Sequence, residues 1–517
     1  MWSRLTTFAR FAIILLVVGA ALAGVYTLKS KSSTTSDSQK SGGGVLSKVT
    51  NVFSGGPDIT LGVNTWTGFA PIVWMNGGSL EPNKESRLYK EYGIKLKIVI
   101  LDVFTNSRQA FNSDNVNVVY CTVDALPVEM GAQSDMAKQG TQLFGQVDWS
   151  RGGDLIVVRK GISTVADLKG KTVAVAEGTA SNTFLIKTLE SNGLQMSDVI
   201  LKKVDDGIEA AKLFKAGTVD AAVVWTPDDG DCLAAISGSK VLVSTKVAAY
   251  VIADGLVAKK SFIDENSEKL SKFLEAWLTA NGELNNDPSK RDQASSDFAK
   301  CFNVDKGFAD NGLKNVRLTT YGDNQNFFGL NSTYQGVTGE QLYSKMSIVY
   351  SGLHLTTSPL AWRGVSNTSI VESIKMSSTG DNSPEADVKF TAVTEQLKTK
   401  EAISNKKVTI NFDTNSAVLD DDDKAIIDRE FVQIAKGFAM ARVRIEGNTD
   451  AVGGNSQGNQ VLSERRAQSV ANYLVKEHGF DRNKFIVIGN GSSKAFADGV
   501  TGASDAYRMT EFQLVEE

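Results

Sequence analysis

Asp450 and Arg466 are the residues of this 517-residue chain whose types and placement most directly suggest chemistry. Asp450 closes the strand-like run Ala441-RVRIEGNTD, and Arg466 stands about a turn into the helix predicted over Leu462 to Glu477. That order can bring an anion and a cation to one edge of a sheet. A fixed carboxylate beside a fixed guanidinium suits a zwitterion through charge-assisted hydrogen bonds. A solvated surface pair is the plain alternative, and Arg465 next door reads that way. A second group lies on turns. Glu177-Gly178-Thr179-Ala180-Ser181-Asn182 separates a predicted strand from a predicted helix. Hydroxyls and free backbone N–H groups at a helix start suit an anion or a polar ligand head. Thr179 and Ser181 are equally readable as N-caps. Asn64-Thr65-Trp66-Thr67-Gly68-Phe69 and Trp225-Thr226-Pro227-Asp228 also follow strands, with Trp66 and Trp225 either facing a ligand or filling a core.

The elements that must carry these turns are short β-rich runs alternating with helical ones. Strands are predicted in ITLGVNTW after Asp58, IKLKIVIL after Gly93, NVVYCTVD after Val116, DLIVV after Gly153, TVAVAEG after Lys171, ILKKVD after Val199 and DAAVVW after Val219. Helices are predicted over Ala180 to Asn192 and Gly207 to Lys215. Such alternation indicates an α/β fold with mostly parallel sheets. Ligands bind such sheets at the carboxyl ends of strands. Ser150-Arg151-Gly152-Gly153-Asp154 is placed where the chain would cross between lobes. After residue 407 the order is β-α-β-α-β-β, a compact α+β sandwich.

Length alone calls for two or more domains, since a single core seldom exceeds about 250–300 residues. A net charge of −4, with no basic cluster interleaved with aromatics, argues against nucleic-acid binding. Cys121, Cys232 and Cys301 are odd in number and far apart, so no disulfide framework or zinc knuckle is indicated, and a Cys232–Cys301 bridge stays open only for an exported domain. The two histidines, His354 and His478, have no ligand-type cluster beside them, which removes His-based metal sites and Ser-His or Cys-His catalysis. No cofactor and no metal site is expected.

Phe11 to Leu28 is an apolar run about long enough to span a bilayer. Arg4 and Arg10 precede it and Lys29 and Lys31 follow, so charge does not orient it. Ala21-Leu22-Ala23 could be a cleavage site, and an uncleaved signal anchor is the favoured reading. The Ser/Thr/Gly-rich stretch that follows is a tether with a reach of ~30 Å. The domain organisation is therefore 1–28 anchor, 29–57 flexible linker, 58–370 solute-binding domain with a second lobe at about 150–245, 371–405 linker, and 406–517 C-terminal domain.

Two resemblances add to this reading. Residues from about 58 to about 280 resemble the nitrate/sulfonate/taurine class of ABC-transporter substrate-binding proteins, through ITLGVNTWTGFAP, GGDLIVVRKGISTVADLKGKTVAVAEGTASNTFL and AGTVDAAVVWTP. The resemblance implies a periplasmic-binding-protein fold of two α/β lobes clamping a small, anionic solute. Trp66, Thr67, Thr122 and Asp124 would face it from the first lobe, and Thr179, Ser181, Trp225 and Asp228 from the second. The C-terminal segment resembles the OmpA-like domain in INFDTNSAVL and IEGNTDAVGGNSQGNQVLSERRAQSVANYLV. That implies binding of the diamino acid of peptidoglycan through Asp450 and Arg466, with Thr449 and Asn459 beside them. Asn448, Gly458 and Ala506-Tyr507-Arg508 depart from the family's usual residues. Together these imply a non-enzymatic protein of a Gram-negative-type envelope, single-pass in the inner membrane with its bulk in the periplasm. Its partners would be peptidoglycan, a solute, the inner membrane and an ABC permease. The alternative is a structural tether or sensor whose solute-binding fold has no transported ligand. An enzyme is disfavoured because the pyrimidine synthases of this fold class consume a histidine, and none lies between Asp58 and Lys300.

Overall fold

A computed structural model describes residues 56–517, except 411, 414, 455 and the side chain at 505. The expected anchor at 1–28 and all but the last residues of the tether lie outside the described residues. Among those described, no helix is long and apolar enough to cross a membrane.

The chain first lays down β1 (Ile59–Val63), β2 (Leu96–Ile100), β3 (Val118–Thr122) and the long β4 (Thr141–Ser150). It crosses at 151–153 into β5 (Asp154–Val158), β6 (Thr172–Ala176), β7 (Ile200–Val204), β8 (Ala221–Trp225) and β9 (Lys240–Ser244). A second crossing at 245–252 returns it as β10 (Ala253–Lys259) and β11 (Val316–Leu318). The first sheet has the order β11-β4-β10-β3-β1-β2, the second β7-β6-β8-β5-β9. In these two sheets the strands β2-β1-β3 and β7-β6-β8 pair parallel. The strands leading into and out of the crossings pair antiparallel, so the sheets are mixed rather than mostly parallel. The reason is topological: strands that pass between lobes run against those linked by helices. Β-branched residues dominate the strands because both faces are covered.

Helix α1 (Ala180–Glu190) follows β6, and α2 (Lys260–Asn286) follows β10 and buries Phe273, Leu274 and Trp277 in the first core. The stretch 300–370, which the sequence leaves without a role, contains α3 (Gly339–Gly352). Tyr350 of α3 is fully buried and packs with Met346 against Ile186 of α1 and Val128 of the first lobe. Its hydroxyl bonds Thr183 Oγ1 at 2.7 Å and donates to Thr179 O at 3.2 Å. This helix therefore braces one lobe against the other. Cys232 and Cys301 are both free and sit in different apolar clusters, so no bridge joins them.

The third sheet, β12 (Ser404–Thr409), β13 (Arg442–Gly447), β14 (Phe485–Gly489) and β15 (Met509–Val515), has the order β12-β15-β13-β14. Helix α4 (Gln457–His478) covers it and ends on Gly479, whose φ of 68° is the left-handed cap conformation. Its core is continuous with the second lobe: Val165, Leu185 and Val251 share one cluster with Ile410, Phe438 and Ile445. Backbone bonds run from Val165 N to Ile403 O, Tyr250 N to Gly437 O and Met440 N to Val247 O. The segment expected as a linker, 371–405, is packed in part. Glu385 receives both Arg151 Nη groups at 2.9 and 3.0 Å and the Tyr250 hydroxyl at 2.8 Å. Arg151 and Tyr250 belong to the two crossings, so this strap grips both.

Candidate functional site

The loops singled out in the sequence meet where the two sheets face each other. Trp66, after β1, donates its indole N–H to Asp148 Oδ2 at 3.2 Å. Its ring edge lies 2.3 Å from where a Cβ on Gly153 would sit, so only glycine at the crossing lets the indole reach the second lobe. Gly153→Ala should therefore displace Trp66 or cost about 1–3 kcal/mol of stability, read as a changed tryptophan emission or a lowered denaturant midpoint. Gly68 is under the same constraint, with the Asp148 carboxylate 1.8 Å from its would-be Cβ. Thr67 is buried against Gly312, and its hydroxyl has no partner.

From the second lobe, Trp225 donates to Ser181 Oγ at 3.0 Å. Thr179 stands at the N-cap of α1, yet its hydroxyl donates back to Ala176 O at 2.8 Å and caps nothing. Asp228 is set apart: its charged neighbours are Lys215, Asp231, Asp229 and Asp206, none of them in this group. Thr122 ends β3 and pairs through its backbone with Asp254.

Four buried carboxylates dominate the meeting point. Register places Asp254 of β10 between Thr122 of β3 and Asp148 of β4. Asp124 follows β3 and accepts from Ala253 N at 3.4 Å. Asp154 opens β5 and accepts from the Ser150 hydroxyl at 2.7 Å, beside Thr245 of the second crossing. Burial pushes Asp124 up to about 7 and Asp154 up to about 6. Burial raises Asp148 and Asp254 too, and the neighbouring Asp148 raises Asp254 further. The charges that act most strongly on Asp124, Asp148 and Asp254 are other members of the set. Only Asp124 and the Ser150–Asp154 turn are visible from sequence reasoning. The missed signal is an acid inside an otherwise apolar strand, as in TQLFGQVDWS and ADGLVAK.

In the C-terminal domain, Asp450 and Arg466 are brought together with Arg508. Asp450 Oδ1 accepts from Val452 N at 3.2 Å, and Oδ2 faces Arg508 Nε at 3.6 Å. Arg466 is only 4% exposed. It donates to Ser416 O at 3.0 Å and Asp413 O at 3.1 Å and lies over the Phe412 ring. Burial and then Arg508 lower its affinity for its proton, with Asp450 and Asp423 opposing. Asn459 donates to Val452 O and Gly454 O and so shapes the loop after Asp450, while the buried Thr449 hydroxyl is unpartnered.

Residues 154–291 match the NMT1/THI5-like family, and residues 411–508 match the OmpA family. The first match falls on the second lobe and the return to the first, and the second falls on the C-terminal domain. Among relatives, a Brucella abortus protein designated a binding protein is 26% identical over 175 residues, which is 32% of this chain and 52% of that protein. The chain thus spans about half the length of that relative. Outer membrane protein A of Bordetella avium is 33% identical over 128 residues, 24% of this chain and 64% of that one. The crystal structure of the periplasmic aliphatic sulphonate binding protein SsuA from Escherichia coli has a TM-score of 0.46 at 20% identity, covering 59% of this chain and 95% of that one.

Proposed function

We propose that this protein binds a small solute between its two α/β lobes, without turning it over, while its C-terminal domain holds it to peptidoglycan. The observation that carries the reading is convergence: Trp66, Asp124, Asp148 and Asp254 from one lobe meet Asp154, Ser181 and Trp225 from the other around two crossings. Lobes linked in this way open and close about the crossings. The relatives are named as a binding protein and an outer membrane protein, which fits binding at the envelope rather than catalysis. An anionic solute, the expectation from the sequence, is disfavoured by four carboxylates at this spot.

A sensor role is the second reading, and one contact favours it. The OmpA domain rests on the second crossing through Tyr250–Gly437 and Met440–Val247, so a change in lobe angle would be felt at the wall-binding domain. Residues 1–28 would anchor the chain in the inner membrane, with the rest in the periplasm and an ABC permease as partner. Full-length protein should resist carbonate extraction from membranes and, in detergent, co-sediment with purified peptidoglycan. A mature N-terminus at Gly24 would remove the anchor, and protein left in the supernatant would remove the wall attachment.

A further inference from the structure

Building on the solute-binding reading, we propose that the cleft selects a small cation, an organic amine or guanidinium, seated among Asp124, Asp148, Asp154 and Asp254 between Trp66 and Trp225. The four acids come from four strand ends and both lobes, and all are at most 6% exposed. A buried carboxylate is costly unless it is paired or protonated. Here the charges that act most strongly on Asp124, Asp148 and Asp254 are further carboxylates, which a bound cation would offset.

Unmet hydrogen-bonding capacity points the same way. Asp124 Oδ2 and Asp148 Oδ1 are buried without a partner, and each is an acceptor that only a donor can satisfy. An ammonium brings three donors and a guanidinium five, with no acceptor to clash. The tryptophans complete the site. Both spend their indole N–H on cleft side chains, Trp66 on Asp148 and Trp225 on Ser181, which orients the rings by their polar edges. A cation resting on an indole face gains a favourable interaction that strengthens when water is excluded. A sulfonate or nitrate would instead need donors. Arg151 of the first crossing is already committed to Glu385, and Lys246 of the second is exposed with its alkyl chain against Gly152.

The test uses full-length protein in detergent, with ethanolamine, putrescine, choline and methylguanidine as cationic probes and methanesulfonate and nitrate as anionic ones. At least one cation should raise the Tm by several degrees at a hundredfold excess over its Kd. Asp148→Asn and Asp254→Asn should each weaken that cation at least tenfold, and using both guards against one variant failing to fold. Stabilisation by the anions and not by the amines would overturn the cation assignment while leaving a solute-binding protein. Unchanged affinity in two folded variants would move the site away from these acids and overturn it as well. No response to either class overturns both the cation and the solute-binding reading, while the wall attachment stands or falls by co-sedimentation.

Discussion

Asp450→Asn should lower the affinity of the full-length protein for peptidoglycan about ten- to a hundredfold without changing its circular dichroism. The diamino acid of a stem peptide presents an ammonium and a carboxylate. Asp450 stands beside Arg466 and Arg508, with Asp423 a further carboxylate acting on Arg466, and its second oxygen faces Arg508 at 3.6 Å, longer than a committed hydrogen bond. An arriving ammonium can take that oxygen while the ligand carboxylate turns to the guanidiniums. Losing one charge-assisted bond costs on the order of 1.5–3 kcal/mol, and about 1.4 kcal/mol is tenfold in affinity. Arg466→Ala is a poorer probe than the sequence suggests. The guanidinium also ties down the loop carbonyls of Asp413 and Ser416, so its loss disturbs structure along with charge. Arg508→Gln is the complement at the second guanidinium, whose side chain is 37% exposed. Co-sedimentation of Asp450→Asn at the parent's midpoint would end the zwitterion reading and leave the domain as a protein-interaction module.

The strands were legible where β-branched residues crowd together, as in DLIVV and TVAVA, and so was the crossing at Ser150–Asp154, whose glycines stand out between two apolar runs. The C-terminal pair Asp450 and Arg466 was legible because a long motif fixes its spacing. Arg508 was noted only within the departing run Ala506-Tyr507-Arg508, and its place beside Asp450 was not legible because it arrives from a distant strand end. The acidic cleft was hidden for a related reason. Asp148 and Asp254 lie far apart in sequence and become neighbours only through antiparallel register between β4 and β10. Periodicity says nothing about which strands pair. The brace formed by Tyr350 was equally hidden, because a tyrosine at helical spacing looks like any core residue until α3 is laid across α1.

Asp124→Asn should stabilise the ligand-free protein by an amount that grows with pH, by about 2 kcal/mol between pH 5 and pH 7. The native Asp124 carboxyl is pushed up to about 7, chiefly by burial, whereas in the unfolded chain it titrates near ~3.9. Below that lower value the group is protonated in both states and its full contribution to stability is present. Between the two values the unfolded chain has released a proton that the fold still holds, so stability falls as pH rises. The slope is about 1.4 kcal/mol per pH unit for one proton, and it levels off once the native carboxyl ionises. Asparagine keeps the acceptor for Ala253 N and carries no charge to bury, so the variant escapes this loss. Urea midpoints of parent and variant at pH 5, 6 and 7 give the difference directly. Taking the difference cancels the opposite slopes of surface carboxylates held low by lysines, such as Glu268 beside Lys272. A difference that stays constant across the range would mean that Asp124 is already ionised at pH 5 and compensated in the fold, and the cleft would then need no cation. A difference that grows, and that shrinks again when a binding amine is added, would tie the cost of these buried acids to the ligand that relieves it.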